Sequence, residues 1–588
     1  MIRIIPILLA AFGLLAPGLS DDPKKDQKKQ YDAEVPKTIL ELQAFRETSS
    51  IRIQSRAGQA RAGKEGVAIL VNLNPSVNAW YLLKVVWQDG APEQAWHLEN
   101  SKPGEARVLL DEKYPSGLVI AEGAHRYPCD LFGANALELG RNTQLIYYPL
   151  CEGRLYLRNP AKGHRTALEA TTEFLRDHVW GGEKVIVMFH HLMADRYRAT
   201  GELETGAAME DRTGAGERPL TAIVDPQYSG RQVAPANLGI ALDQPGTEKT
   251  GPEKTGMTPG AWYAAAGNAG VYVSILQPNF IAPAILRSYP AVVNNLDSVE
   301  ASSLSYLIAF DLDRFDIAYA LGTEHPEVNW SEHLTGQVKD ARLPGPDGIA
   351  GIAPLISTGL IRPDNGGKTV AAFTGGFKRA HGAFRYGDLA LKNHGSHYGF
   401  IENGVIFSKL QPGLATVFVR DDSSLEMKTW TEADNPLLAG IKHARQNGVA
   451  IIDSGIPGNL VNRWGPGNWS GSEDEKLRTI RAGIALQESH GKSFLIYAVF
   501  SDATPSAMAR VFQAYQCSYA MLLDMNALEH TYLALYRRSG GELSVDHLLK
   551  GMSELDKSAS NENVPRFLGF SDNRDFFYLM RRAKGGKP

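Results

Sequence analysis

Two apolar runs with a helical pattern between them organise the C-terminal part of this chain. The runs cover residues 493–500 and 519–523, and each is followed closely by an aspartate, Asp502 or Asp524. Between them, apolar residues recur from Met508 at the i, i+3, i+4 and i+7 positions of one helix face. Thr504-Pro505 is typical of a helix start. The pattern predicts a β-α-β unit with parallel strands.

The predicted strand directions place several polar side chains at one edge of that sheet. The carboxyl ends of parallel strands lie at the same edge, so we expect Asp502 and Asp524 side by side. The short, glycine-containing segment 487–491 predicts a hairpin, which brings Arg481 to the same edge. Open α/β sheets bind ligands at such edges. A structural Arg–Asp pair at a sheet edge is the alternative explanation.

The rest of the pattern divides the chain into regions. Short strand-like runs at sandwich spacing predict a β-rich domain at residues 61–200. Residues 201–260 are rich in Gly, Pro, Glu and Thr, which predicts a flexible linker before a second domain at 261–588. Helices are expected near 37–47, 167–179 and 437–446, and Asn403-Gly404 predicts a hairpin turn. The expected fold class is α/β (α+β).

Two more segments supply candidate site residues after apolar runs. The turn Thr374-Gly375-Gly376 follows a small-residue strand, and paired glycines allow close backbone approach to a ligand. A tight turn explains the same glycines. Asp453 follows the run 449–452 and is a third carboxylate in this position.

Histidines give a weaker indication of chemistry. His190 and His191 are adjacent on a predicted strand, where neighbouring side chains point to opposite faces, so we interpret them as structural. His394 and His397 lack a recognised zinc pattern. The sequence therefore predicts no metal and no other cofactor, with a metal hydrolase centred on His394 and His397 as a third hypothesis.

The N-terminus and the charge bear on location and partners. Arg3, the apolar residues 4–15 and small residues at 16–20 predict a signal peptide at 1–20, followed by a charged linker at 21–60. No later stretch approaches 18 apolar residues, so we expect no transmembrane span in the mature chain and a secreted or periplasmic protein. A net charge of −4 over 588 residues does not favour nucleic acid as a partner. Cys129 and Cys151 are candidates for a disulfide that would leave Cys517 free.

The order of these motifs resembles the phosphodiester glycosidase family, the domain type of the lysosomal uncovering enzyme. Family members have a strand ending in Asn-Gly-Gly-Phe-Phe, an Arg-x-x-x-Gly-type strand, an Asp before a Thr-Pro helix start, and a strand ending in Leu-Asp-Gly-Gly-Gly-Ser. The similar segments here are 374–378, 481–483, 502–505 and 523–524, within about residues 262–540. Met525-Asn526-Ala527 replaces the last glycine run, so that motif is degenerate.

The resemblance implies a C-terminal mixed-sheet domain that hydrolyses a glycosyl phosphodiester or a related envelope or extracellular glycan. It implies phosphate binding by Arg481 and acid or base roles for Asp502 and Asp524. The substrate-binding candidates are Thr374, Gly375, Gly376, Asp453, Glu529 and His530. The replaced glycines favour an alternative from another class, a non-catalytic glycan- or envelope-binding protein.

Overall fold

A computed structural model describes most of the chain. The described residues are 38–54, 64–114, 117–131, 135–167, 169–171, 203–204, 218–243, 256–325, 351–377, 399–463, 476–559 and 562–582. The predicted signal peptide and His190, His191, His394 and His397 lie outside these ranges.

Antiparallel strands build the N-terminal region, as its short apolar runs predict. Their bounds are β1 (Glu47–Gln54), β2 (Glu65–Asn72), β3 (Trp80–Trp87), β4 (Gln94–Asn100), β5 (Ala106–Leu110), β6 (Leu118–Glu122), β7 (His125–Pro128), β8 (Tyr147–Leu150) and β9 (Leu155–Arg158), with helices α1 (Ile39–Leu42) and α2 (Ala136–Arg141) and the 3-10 turn Cys151–Gly153. They form a six-stranded sheet in the order β1-β2-β3-β4-β9-β8 and a three-stranded sheet in the order β5-β6-β7.

Both faces of β3 are largely buried, which explains why seven of its eight residues are apolar. Tyr81 and Leu83 pack in the core between the two sheets, where a disulfide joins Cys129 to Cys151 as the sequence suggests. Trp80, which points to the opposite face because strand side chains alternate, belongs to the large core of the C-terminal part. The N-terminal region is therefore packed directly against the rest of the protein.

The remaining elements form the C-terminal part and the segment that leads to it. The strands are β10 (Leu203–Glu204), β11 (Gln232–Val233), β12 (Tyr263–Ala264), β13 (Val271–Leu276), β14 (Ser305–Asp311), β15 (Phe315–Ala320), β16 (Thr369–Thr374), β17 (Phe400–Glu402), β18 (Val405–Ser408), β19 (Ala415–Arg420), β20 (Leu425–Thr429), β21 (Ile441–Gln446), β22 (Ala450–Asp453), β23 (Ile456–Pro457), β24 (Thr479–Ser489), β25 (Lys492–Ala503), β26 (Tyr519–Met525), β27 (Leu533–Ser539), β28 (Glu542–His547), β29 (Lys557–Ala559), β30 (Glu562–Val564) and β31 (Phe576–Arg581). The helices are α3 (Pro283–Leu286), α4 (Ser298–Ser302), α5 (Pro363–Gly366) and α6 (Pro505–Ala514), with 3-10 segments Pro226–Tyr228, Pro278–Phe280, Glu432–Gly440, Val461–Arg463, Leu528–His530 and Lys550–Leu555.

Three larger sheets organise these strands. An eight-stranded sheet has the order β12-β13-β14-β25-β24-β26-β22-β23, and two five-stranded sheets have the orders β15-β31-β16-β27-β28 and β18-β17-β21-β19-β20. The predicted Asn403-Gly404 hairpin is present between β17 and β18, with positive φ at both turn residues. The chain is thus a strand-rich α+β protein, as expected at the level of fold class.

The predicted β-α-β unit is confirmed, with one addition. Thr504 caps α6 by accepting a hydrogen bond from the Ala507 N–H at 3.3 Å, and Pro505 takes the first helical position. Strand β24 lies between β25 and β26 and is antiparallel to both, so β25 and β26 are parallel but not adjacent.

The predicted helix at 437–446 is wrong. Residues 432–440 form a 3-10 segment that contains Pro436, and Ile441–Gln446 is strand β21. This strand pairs with β17 on one side and β19 on the other. Hydrogen bonding to two neighbours outweighs a weak local helical pattern. Within the helix expected at 37–47, α1 covers only residues 39–42, and Glu47 already begins strand β1.

Part of the predicted flexible linker is folded structure. Within 218–243, Val233 and Leu238 have no exposed surface. Their backbones pair with Met257 and Leu549 respectively, so this segment is packed into the C-terminal core. Residues 201–202, 205–217 and 244–255 of the predicted linker lie outside the described ranges. In the part of the chain that the structure describes, no helix combines the length and the apolar character needed to cross a membrane.

Candidate functional site

A β-bulge near the end of β26 sets the direction of the Asp524 side chain. Between the register pairs Gly483–Leu522 and Arg481–Met525, β26 contains one residue more than β24. Such an extra residue redirects the side chains beside it. Asp524 is therefore turned away from the face that Arg481 shares with Met525.

Arg481 lies on the sheet face that α6 covers. A Cβ added to Gly483, two residues along β24, would lie 2.8 Å from Cε of Met508 in that helix, and residues i and i+2 of a strand share a face. The Arg481 guanidinium donates to the carbonyl oxygens of Ala503 at 2.6 Å and Leu477 at 2.9 Å. These bonds link the last residue of β25 to the segment before β24. The structure does not place Arg481 beside Asp524.

Asp524 is buried against Arg574. Its Oδ2 accepts a hydrogen bond from Nη1 of Arg574 at 2.7 Å, and its Oδ1 accepts one from the Met525 N–H at 2.8 Å. The carboxylate is 3% exposed. Burial raises the pKa of Asp524 from 3.8 to about 6, although the positive charge of Arg574 opposes the shift. The group can therefore hold or release a proton just below neutral pH.

Arg574 is the centre of the cluster. Besides Asp524, it binds Oε1 of Glu169 through Nη2 at 2.9 Å and through Nε at 3.1 Å. Its Nη2 also lies 2.7 Å from Nε2 of His530. A guanidinium can only donate, so Nε2 of His530 is the acceptor and Nδ1 carries the proton. That proton is donated to the Met525 carbonyl at 2.6 Å, which fixes the neutral tautomer.

Glu529 adds another carboxyl group beside this centre. Its Oε1 is 3.7 Å from Nε2 of His530, and its Oε2 accepts a hydrogen bond from the Thr166 hydroxyl at 2.8 Å. Burial raises the pKa of Glu529, and the nearby charge of Glu169 adds to the shift. Several carboxyl groups thus lie close to the guanidinium of Arg574, and burial disfavours the charged forms of Asp524 and Glu529.

The turn after β16 forms one wall of the cluster. The Thr374 hydroxyl donates to the His530 carbonyl at 2.7 Å, and the Gly375 N–H donates to the Asp575 carbonyl at 2.8 Å. A Cβ on Gly375 would meet Oδ2 of Asp575 at 2.8 Å, and Gly376 has a φ of +140°. Close packing and backbone conformation therefore require both glycines. The Gly375 N–H is thus used within the protein, in the hydrogen bond to Asp575.

A buried ion pair supports this wall from behind. Oδ2 of Asp575 accepts hydrogen bonds from Nε of Arg445 at 2.6 Å and from the Tyr319 hydroxyl at 2.6 Å. Burial alone would raise the pKa of Asp575, but the charge of Arg445 holds it below the ordinary value. Asp575 is therefore a fixed negative charge beside the glycine turn.

Two predicted site residues occupy other positions. Asp502 is buried at the end of β25, and because β24 intervenes, about 10 Å of sheet separates its backbone from that of Asp524. The two aspartates are therefore not on neighbouring strands. Asp453 ends β22, which runs antiparallel to β26, so it lies beside Tyr519 at the opposite end of that strand. It accepts a hydrogen bond from the Thr429 hydroxyl at 2.8 Å.

Sequence patterns did not identify several residues of the cluster. Arg574 and Asp575 lie in the polar run 572–575 directly before the apolar strand β31, whereas Asp502 and Asp524 were identified because they follow apolar runs. Arg445 was not considered as a site residue because it lies within the incorrectly predicted helix at 437–446. Glu169 lies in a helical turn of the N-terminal region, and no local pattern indicated that it reaches the C-terminal part of the chain.

The cluster thus contains Thr374, Gly375, Gly376, Asp524, Glu529 and His530 from the predicted set, joined by Glu169, Arg445, Arg574 and Asp575. Its chemistry is that of a proton donor or acceptor, with buried carboxyl groups of raised pKa beside a neutral histidine and a guanidinium. No protein-family model matches the chain, and no curated protein matches it significantly.

Proposed function

We propose that the chain is an exported, secreted or periplasmic hydrolase of a glycosyl phosphodiester or a related envelope or extracellular glycan, on a phosphodiester-glycosidase-like domain. The observation that carries the proposal is the buried Asp524–Arg574 pair at 2.7 Å, in which the pKa of Asp524 is raised to about 6. A carboxyl group with this pKa is suited to general acid catalysis.

Asp524 takes the role of acid or base in this proposal, and Arg574 replaces Arg481 as the cation of the site. Arg574 stabilises the Asp524 carboxylate once its proton has been transferred, since their atoms are already at hydrogen-bond distance. His530 is 18% exposed and is the partly accessible side chain of the group. In this proposal it contacts the substrate, while Glu529 lies behind it with Oε1 3.7 Å from Nε2 of His530.

The turn after β26 also supports the resemblance. Asn526 stands in the replaced glycine run and has a φ of +79°, a conformation that glycine adopts without strain and asparagine tolerates. Its N–H donates to the Ile480 carbonyl at 2.9 Å. The backbone course that a glycine run permits is thus compatible with this sequence.

A second candidate function is non-catalytic glycan or envelope binding. The observation in its favour is the internal pairing of the cluster, because Asp524 and Glu169 both bind Arg574 and are 3% exposed. A buried network whose charged groups bind one another in this way also serves as a structural support between sheets. The two candidates differ in one measurable respect, which is turnover.

The test is hydrolysis of a chromogenic N-acetylglucosaminyl phosphodiester by the purified mature chain and by Asp524→Asn. We expect the variant to lose about 10²- to 10⁴-fold in kcat, the usual contribution of a general acid or base. Asp453→Asn is the matched control, since Asp453 is a carboxylate at the opposite end of β26 and should retain wild-type turnover.

Equal turnover in Asp524→Asn and the wild type would refute the role of Asp524. If the wild type binds glycans or sugar phosphates without hydrolysing any of them, and Asp524→Asn binds equally well, the second candidate is the correct one. Thermal unfolding of each variant separates loss of turnover from loss of fold.

A further inference from the structure

Among the residues that the structure describes, the N-terminal region reaches the cluster through a short segment, residues 163–167 and 169–171, which we call the strap. The strap ends in a helical turn in which the Ala170 N–H donates to the Thr166 carbonyl at 3.0 Å. Its backbone pairs with the segment before β31, since the His164 N–H donates to the Ser571 carbonyl at 2.8 Å and the Asn573 N–H to the His164 carbonyl at 3.2 Å. The strap is therefore held by main-chain hydrogen bonds.

Gly163 at the start of the strap is required by this close approach. A Cβ at this position would lie 2.7 Å from the Asn573 nitrogen and 2.9 Å from its Cα. These distances are too short for any residue with a side chain. The sequence therefore provides, at the point of contact, the one residue type that allows the two backbones to pair.

Two strap side chains enter the cluster. Oε1 of Glu169 accepts hydrogen bonds from Nε and Nη2 of Arg574, and from Nδ2 of Asn573 at 3.2 Å. The Thr166 hydroxyl donates to Glu529. Glu169 is 3% exposed, so it reaches this depth only because the strap backbone is packed against the C-terminal domain.

We propose that Glu169 is a positioning residue of the site, supplied by the N-terminal region, and that it acts by holding the Arg574 guanidinium in line with Asp524. Its two contacts engage Nε and Nη2, which leaves Nη1 directed at Oδ2 of Asp524. This inference rests on the proposed function for its catalytic consequence. Its structural part, that Glu169 orients Arg574, is testable without turnover.

The charge of Glu169 also affects how Asp524 titrates. Arg574 opposes the rise in the pKa of Asp524, and we expect the negative charge of Glu169, bound to the same guanidinium, to act in the opposite direction by repulsion. With a neutral side chain at position 169 this repulsion is lost, and the pKa of Asp524 should fall. The limb of the pH–rate profile that reports the catalytic acid then moves to lower pH.

The experiment compares the full mature chain with Glu169→Gln, Glu169→Asp and Glu99→Gln. Glu99 is the matched control, because it is a buried N-terminal carboxylate that pairs with Arg362 of the C-terminal part at 2.9 Å but lies in a different network. We expect Glu169→Gln to lower kcat by about 10- to 100-fold with little change in KM, as a small misplacement of catalytic groups does. Glu169→Asp should recover part of the loss, and Glu99→Gln should keep the wild-type pH profile.

A second measurement does not depend on activity. The ¹⁵N shifts of the His530 ring report the hydrogen bond from Nη2 of Arg574, and assignment uses a His530→Gln variant. We expect these shifts to change in Glu169→Gln and not in Glu99→Gln. Unchanged shifts together with an unchanged pH profile would overturn the inference. A wild type without turnover, whose His530 shifts nevertheless respond to Glu169→Gln, would remove the proposed function and leave the positioning of Arg574 supported.

Discussion

Glu169 and Arg574 form a buried ion pair that joins the N-terminal region to the segment before the last strand, with Oε1 2.9 Å from Nη2. Neither side chain is more than 3% exposed. Because the same guanidinium binds Asp524, the pair connects the packing of the two regions to the geometry of the candidate site.

Removal of the Arg574 charge should strongly destabilise the protein. Arg574→Met leaves Asp524 and Glu169 buried without their cation, and breaking a buried pair in this way costs about 3–5 kcal/mol in the free energy of unfolding. Urea denaturation at neutral pH measures the loss.

The control for this prediction is Arg537→Met. Arg537 pairs with Asp546 at a similar distance of 2.9 Å but is 32% exposed, so the expected loss is at most about 1 kcal/mol. Equal losses in the two variants would contradict the assignment of Arg574 as the buried centre of charge.

The titration of Asp524 should be visible in the stability of the whole protein. Its pKa is raised by burial from 3.8 to about 6, so between these pH values the folded state binds more protons than the unfolded state. The contribution of Asp524 to the free energy of unfolding therefore falls as pH rises from about 4 to about 6, in total by about 3 kcal/mol. Glu529, whose pKa is also raised, contributes with the same sign.

Asp524→Asn should flatten this dependence, since the amide does not titrate. The measurement is the urea midpoint of the wild type, Asp524→Asn and Asp453→Asn at intervals between pH 4 and 7. Parallel curves for the wild type and Asp524→Asn would show that this carboxyl group does not titrate as the structure indicates.

Local sequence patterns predicted the individual elements of the C-terminal part better than they predicted which strands are adjacent in the sheet. The start of α6 at Thr504-Pro505 and the Asn403-Gly404 turn depend on residues close in the chain, and both are present. The insertion of β24 between β25 and β26 depends on pairing across the sheet. The pattern of apolar residues along a strand carries no information about which strand is adjacent. The prediction that Asp502 and Asp524 lie side by side was therefore wrong.

The site shows the same limit. Asp524 was found because it ends an apolar run, but its direction is set by a bulge that involves Arg481 and Met525 of two strands. Glu169 was not found, because its contact with Arg574 joins segments that are distant in the sequence. Side-chain convergence of this kind is a property of the tertiary fold.

Arg481 should contribute to stability without a specific role in turnover. Its guanidinium donates to the carbonyl oxygens of Ala503 and Leu477 through two different nitrogens, a geometry that the compact ammonium group of lysine does not match. We expect Arg481→Lys to lower the free energy of unfolding by about 1.5–3 kcal/mol, while kcat of the folded protein at low temperature keeps its wild-type value. A variant of undiminished stability with a large loss of kcat would instead restore Arg481 to the phosphate-binding role that the resemblance implies.

The turn at Asn526 offers the sharpest test of how the replaced glycine run is accommodated. Its φ of +79° places it in the left-handed region, where alanine is strained by about 1–2 kcal/mol and glycine is not. We therefore expect Asn526→Ala to lower the thermal stability, and Asn526→Gly to remain within about 0.5 kcal/mol of the wild type in the free energy of unfolding. Both variants retain the N–H that donates to the Ile480 carbonyl, so the comparison isolates backbone conformation. If alanine and glycine were tolerated equally, the turn after Asp524 would not have the glycine-like conformation on which its likeness to the family motif depends.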